Sequence, residues 1–142
     1  MAVQNLHITL AFLGAVEESE FSCLKMQANE IIGEPFRLSL TQLGYFPRPR
    51  VIWVGPACCP EPLRSLVAAL HSKLQACGCR SDVRPFSAHV TLFRKAIPAT
   101  SEITITPIEW SIDQFCLVES KTHPRGVNYD VVQYFSLNKK QL

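Results

Sequence analysis

The 142-residue sequence predicts an α+β fold with largely antiparallel sheets. Three observations lead there. Residues 6–12 and 88–93 alternate apolar and polar side chains, as half-buried strands do. Residues 17–32 and 61–76 repeat apolar side chains at helical spacing, and links of hairpin length dominate the second half of the chain.

Taken in order, the first strand sends Leu6, Ile8, Leu10 and Phe12 to one face and His7, Thr9 and Ala11 to the other, and ends at Gly14. The first helix carries Phe21, Leu24, Ala28, Ile31 and Ile32 as its apolar stripe. Glu17, Glu18 and Glu20 complement its positive end, and Gly33 and Pro35 stop it. Residues 36–43 read as a strand, Pro47 and Pro49 bracket a turn, and 51–54 form a short apolar strand. The second helix, 61–76, places Leu63, Leu66, Val67, Leu70 and Leu74 on one face, with Gly78 following its end. Strands at 88–93, 103–105, 111–118 and 129–137 complete the chain, with a turn at 124–128.

The length fits a single domain over residues 1–142, or one domain of two closely packed lobes. An apolar share of 47 % suffices for a core, and a net charge of +2 permits an anionic ligand without the dense basic stripe of a general nucleic-acid binder. The sequence has no apolar run long enough to span a bilayer. Gln4, Asn5, His7 and Thr9 interrupt any signal-peptide core, so no membrane partner and a cytoplasmic location are expected. The six cysteines (23, 58, 59, 77, 79 and 116) are then expected as free thiols. Adjacent or alternate cysteines lack the loop spacing of a zinc site, so no metal is expected.

The most informative feature is an internal echo. His7-Ile8-Thr9-Leu10 recurs as His89-Val90-Thr91-Leu92, each time on a predicted strand, so histidine and threonine leave the same face twice. One such motif alone suits an ordinary surface or core position. Two copies suit a shared site for opening a 2′,3′-cyclic phosphate. One imidazole activates the water and the other protonates the leaving ribose oxygen, from opposite sides of phosphorus. The threonine hydroxyls donate to the non-bridging oxygens as their charge grows. The scheme needs no cofactor or metal.

With the flanking stretches NLHITLAFLG (5–14), LGYFPRPRVIWV (43–54), RPFSAHVTLFR (84–94) and residues 115–129, the sequence resembles the bacterial RNA 2′,3′-cyclic phosphodiesterase family. That family, also called 2′-5′ RNA ligases, lies within the two-histidine phosphoesterase superfamily. The resemblance covers nearly the whole chain and rests most specifically on the doubled motif. It implies a bilobal fold with pseudo-twofold symmetry and outer helices, with one motif strand per lobe facing across a cleft. It also implies His7 as general acid, His89 as general base, RNA ends bearing 2′,3′-cyclic phosphate as substrate, and reversible 2′-5′ joining as a second activity. Members usually carry several tens of residues before the first motif, including a strand and a helix. Here His7 follows almost directly on Met1, so an exposed sheet edge and self-association through it are expected. Ala88 stands where proline is common.

Around the motifs, Leu10, Leu92, Arg94 and Tyr129 are the candidates for holding substrate. Arg94 suits a phosphate, although strict alternation turns it away from His89 and Thr91. Lys121, Arg125 and Tyr129 surround the late turn and suit RNA backbone and base, or a plain hairpin tip. Arg48 and Arg50 read as turn charges, Phe46 and Trp53 as rings able to stack on a nucleobase, with core packing favoured for Trp53 in its apolar run, and His71 and His123 as surface histidines. A non-catalytic nucleotide-binding module and a phosphodiesterase for small cyclic nucleotides remain alternatives; the intact histidines and threonines favour an enzyme.

Overall fold

A computed structural model of the chain describes residues 2–80, 84–98 and 101–138. After a 3-10 turn at Val3–Asn5, the order is α1 (Glu18–Asn29), β1 (Phe36–Leu40), β2 (Gln42–Phe46), β3 (Val51–Gly55), α2 (Glu61–Ala76), β4 (Val90–Phe93), β5 (Ile108–Ile112), β6 (Gln114–His123) and β7 (Gly126–Ser136). The strands form three small sheets, β1–β5, β2–β3–β4 and β6–β7, and the β2–β3, β3–β4 and β6–β7 pairs are antiparallel. The chain is α+β. Its described residues divide into two compact units, the first comprising residues up to Thr9, 37–60 and 87–111, the second 10–36, 61–86 and those from 112 on.

In the second unit, the backbone N–H of Glu17 donates to Glu20 Oε1 at 3.0 Å, satisfying one of the orphan donors at the start of α1. The helix ends at Asn29, short of the glycine and proline expected to stop it. Its last turn tightens, with Glu30 N–H bonding Gln27 O and Ile31 N–H bonding Ala28 O. That releases Ile31 into the core at 3 % exposure and leaves Ile32 outside at 56 %. The isoleucine pair therefore belongs to the chain after the helix. α2 follows the predicted bounds and buries Leu63, Leu66, Val67 and Leu74. Past its end, Gly78 adopts φ +79°. Its N–H bonds Gln75 O at 3.0 Å while Cys79 N–H reaches Leu74 O at 3.0 Å. This is a Schellman termination, which needs a residue at ease in the left-handed region. It folds Cys79 back onto Leu74 and Leu24. Burial, together with the Glu20 carboxylate 3.6 Å from its sulfur, pushes the Cys79 thiol above its usual range.

Cys23 of α1 and Cys77, just past α2, form a disulfide, which corrects the expectation of free thiols throughout. The packing of α1 on α2 brings their Cα atoms to 5.7 Å, within disulfide reach, and composition does not reveal that packing. Cys58, Cys59, Cys79 and Cys116 are free. In the same unit, the β6–β7 hairpin stacks Phe115 on its cross-strand partner Phe135 and is exposed over most of its length. Gly126, at φ +131°, lets β7 start three residues before the expected strand, so Pro124 and Arg125 alone close the turn.

Four other strand expectations change. Residues 36–43 form two strands, because Thr41 donates its backbone N–H to Gly55 O at 3.0 Å as the chain passes from the β5 partnership to the β3 partnership. The predicted strand 111–118 likewise divides into β5 and β6 at Asp113, whose carbonyl accepts the N–H of Leu137. Residues 6–12 and 103–105 form no strand, and no described strand pairs with them. Alternation marks a strand only where a neighbour supplies the ladder. Leu6, Phe12 and Ile103 are accordingly 42, 73 and 58 % exposed.

The first unit is built on β2–β3–β4. Gly44 pairs with Trp53, and the indole lies directly on it; a Cβ at Gly44 would overlap the ring. A Cβ at Gly55 would meet the Ala88 carbonyl at 2.7 Å. The two glycines give the indole a flat seat on the sheet. Gly44→Ala is expected to cost about 1–3 kcal/mol by overpacking, seen as a lower urea midpoint with an unchanged slope. Reducing the Cys23–Cys77 bond, which closes a sequence separation of 54, is expected to lower stability by about 2–4 kcal/mol. Denaturation with and without dithiothreitol measures it, and equal midpoints would refute it.

Candidate active site

The β3–β4 register builds the second motif. Val90 pairs with Val54 and Thr91 with Trp53. Cross-strand partners share a face, so Thr91, Trp53 and Gly44 form one row across the sheet. Alternation adds His89 and Phe46 to that face. The rings meet: Phe46 lies edge-on to His89 at 5.0 Å and Trp53 to His89 at 6.3 Å, while Phe46 and Trp53 are tilted by 31° at 5.3 Å. Val54 and Val90 point to the opposite face and are buried. His89 and Thr91 are half-buried.

His89 Nδ1 lies 2.8 Å from Ser87 O. A carbonyl only accepts, so Nδ1 carries the hydrogen and the neutral ring presents an acceptor at Nε2. The first motif repeats this bond without a strand, its His7 Nδ1 donating to Asn5 O at 2.6 Å, again the carbonyl two residues earlier. The 3-10 turn, closed by Asn5 N–H to Ala2 O and Leu6 N–H to Val3 O, sets that carbonyl. His7 Nε2 faces Thr9 Oγ1 at 3.1 Å, so histidine and threonine stand on one side through a hydrogen bond rather than a pleat. All four residues belong to the first unit.

The remaining candidates separate. Leu92 is the extra residue of a β-bulge in β4, since Thr91 faces Trp53 while Phe93 faces Ile52. The bulge resets the alternation that turned Arg94 away, and Arg94 is exposed just past the end of β4. Leu10 is half-buried; Tyr129 lies on β7 in the second unit, paired with Ser120. Arg50, at φ +56°, donates to Lys95 O at 3.4 Å and accepts from Ala96 N–H at 2.8 Å, so it braces two loops. Lys121 pairs with Asp130 across the hairpin.

Trp53 is the correction among these residues. It shares the face of His89 and Thr91 and is half-buried, where its apolar run had suggested core. A signal existed: Gly44-x-Phe46 and Trp53-x-Gly55 put glycine and aromatic on the same face by period two, and strand glycines mark a close approach. Among the described residues, no group of three or more His, Cys, Asp or Glu is placed to hold a metal, and no helix is long and apolar enough to cross a membrane.

Comparison with known proteins identifies the family. Residues 2–124 match the family model of the 2′-5′ RNA ligase superfamily. The RNA 2′,3′-cyclic phosphodiesterase of Escherichia coli K12 is 34 % identical over 98 % of this chain and 80 % of its own length. The protein of that name from Thermus thermophilus is 34 % identical over 94 % of this chain and 72 % of its own. Crystal structures of E. coli LigT superpose with TM-scores of 0.88 for the apo form and 0.86 for the complex with 3′-AMP. Identity is 32 and 33 %, over 98 and 97 % of this chain and 80 % of each LigT chain. The chain belongs to the 2′-5′ RNA ligase superfamily.

Proposed function

We propose that the chain hydrolyses terminal 2′,3′-cyclic phosphates of RNA to 2′-phosphomonoesters by general acid–base catalysis, with reversible 2′-5′ joining of RNA ends as a second activity. The carrying observation is the duplicated histidine with Nδ1 tied to the carbonyl two residues before it. Both imidazoles thereby offer Nε2 for proton transfer, and their Nδ1–H bonds suit the neutral and the protonated ring alike. The relatives' shared name supports the same chemistry.

In this scheme the two Nε2 atoms stand on opposite sides of phosphorus. His89 takes a proton from water, and the water oxygen bonds to phosphorus. The bond from phosphorus to the 3′ oxygen breaks, and His7 protonates that oxygen. The product is a 2′-phosphomonoester beside a free 3′ hydroxyl. Thr91 and Thr9 donate to the non-bridging oxygens, Thr9 exchanging its contact with His7 for one with phosphate. Arg94 supplies a cation beside the second motif. We place the activity in the cytoplasm; the Leu24–Leu74–Cys79 packing joins α1 to α2 beside the Cys23–Cys77 bond.

Activity on a 2′,3′-cyclic-phosphate oligonucleotide is expected to survive excess EDTA, with phosphorus NMR showing a 2′-phosphomonoester. His7→Ala and His89→Ala should each cost about 10²–10⁴-fold, while His71→Ala on α2 changes little. Full activity in His89→Ala would remove it from the base role. Thr9→Val and Thr91→Val should cost less than either histidine change, because acid and base both remain; a threonine loss equal to the histidine loss would refute that ranking.

A further inference from the structure

Arg48, Arg50, Arg94 and Lys95 gather at one end of the β2–β3–β4 sheet, and the acid–base scheme uses only Arg94. Arg48 and Arg50 belong to the turn between β2 and β3, Arg94 and Lys95 follow β4, and all four are exposed. Three hydrogen bonds clasp the two segments together. Ala96 N–H bonds Arg50 O at 2.8 Å, the Arg50 guanidinium donates to Lys95 O at 3.4 Å, and the Tyr45 hydroxyl donates to Ala96 O at 3.1 Å. The clasp holds Arg50 at φ +56° and Lys95 at φ +54°, the two non-glycine described residues in the left-handed region. That conformation is unfavourable for both side chains, and it persists here among like charges. Among the described residues, none of Arg48, Arg94 and Lys95 has an ion-pair partner. No carboxylate lies in residues 36–60 or 84–101. The three stretches of the first unit hold five basic side chains against two acidic ones, whereas the rest of the sequence holds nine against ten. Backbone strain and gathered cations with no counter-charge are what an anion from outside the chain would offset.

The second motif says which anion. Arg94 stands three residues beyond Thr91, and Phe46, directly before the turn, has its ring 5.0 Å from His89. We infer that Arg48, Arg50 and Lys95 hold the sugar–phosphate backbone of the RNA strand whose cyclic end meets the second motif. This rests on the proposed hydrolysis and names its substrate as a strand, because a cyclic mononucleotide has no further phosphate for these cations. Contacts to phosphate carry no base identity, so the surface accepts strands of any sequence. A braced turn presents its cations with less ordering cost than a mobile loop does.

The test follows a fluorescein-labelled RNA decamer ending in a 2′-phosphate by anisotropy at increasing salt. Each phosphate neutralised on a single strand contributes about −0.7 to the slope of log K against log salt. Arg48→Gln combined with Lys95→Gln is expected to flatten that slope by about 1.4, and Arg48→Lys with Lys95→Arg to restore it. An unchanged slope in the glutamine variant would overturn the surface. Displacement of the RNA by polyglutamate at equal charge would overturn it too, and point to an acidic protein as partner. Turnover gives a second readout. The preference in kcat/KM for a cyclic-ended decamer over adenosine 2′,3′-cyclic phosphate is expected to fall about tenfold in the glutamine variant, through KM. Equal losses on both substrates would again overturn the surface. Decamer binding that loses its salt dependence in the glutamine variant, in a protein that hydrolyses neither substrate, would support the surface and count against the hydrolytic reading.

Discussion

The pairing of β4 on β3 is the constraint from which the candidate site follows. Val90 opposite Val54 and Thr91 opposite Trp53 put two buried valines on one face and the polar motif on the other. Because side chains alternate with period two, a slip of one residue would bury His89 and Thr91 and expose the valines. The apolar pair thus holds the candidate pair His89 and Thr91 in place. The Leu92 bulge acts on the same ladder, resetting the alternation beyond Thr91, where Phe93 still pairs with Ile52.

A second, local device repeats in both motifs. The histidine bonds back to the carbonyl two residues earlier, and this needs no partner strand. It selects the tautomer and limits ring rotation at each site by the same means. The same short pattern of histidine, one residue, threonine thereby holds its imidazole alike in two different backbone settings, an irregular segment after a 3-10 turn and the start of a strand in a three-stranded sheet.

Much of this was legible in the residues. The α2 stripe ends where its glycine does, because Gly78 supplies the left-handed residue that a Schellman termination requires. The doubled motif was legible because its spacing encodes side-chain direction. What escaped depends on partners distant in sequence. Residues 6–12 have the alternation of a strand, but a ladder needs a neighbour that no local pattern reveals. Thr41 reads as strand interior, yet it is where the chain changes sheets. Cys23 and Cys77 meet only because two helices pack, and Trp53 looked like core because an apolar run does not say which of its faces is covered.

The two histidines are held in different ways, and that bears on the proposed chemistry. His89 directly precedes the paired strand β4, meets two aromatic rings and is bonded to Ser87, so its imidazole is fixed by the sheet as well as by its own segment. His7 is tied to Asn5 and Thr9 within one short stretch of chain. A general base must aim at a water molecule that nothing else positions, so rigid placement contributes most on that side. A general acid meets an oxygen already bonded to the phosphorus being attacked, and the substrate itself supplies part of the alignment. On this ground, in the proposed scheme, the histidine beside the sheet is the one we assign as base.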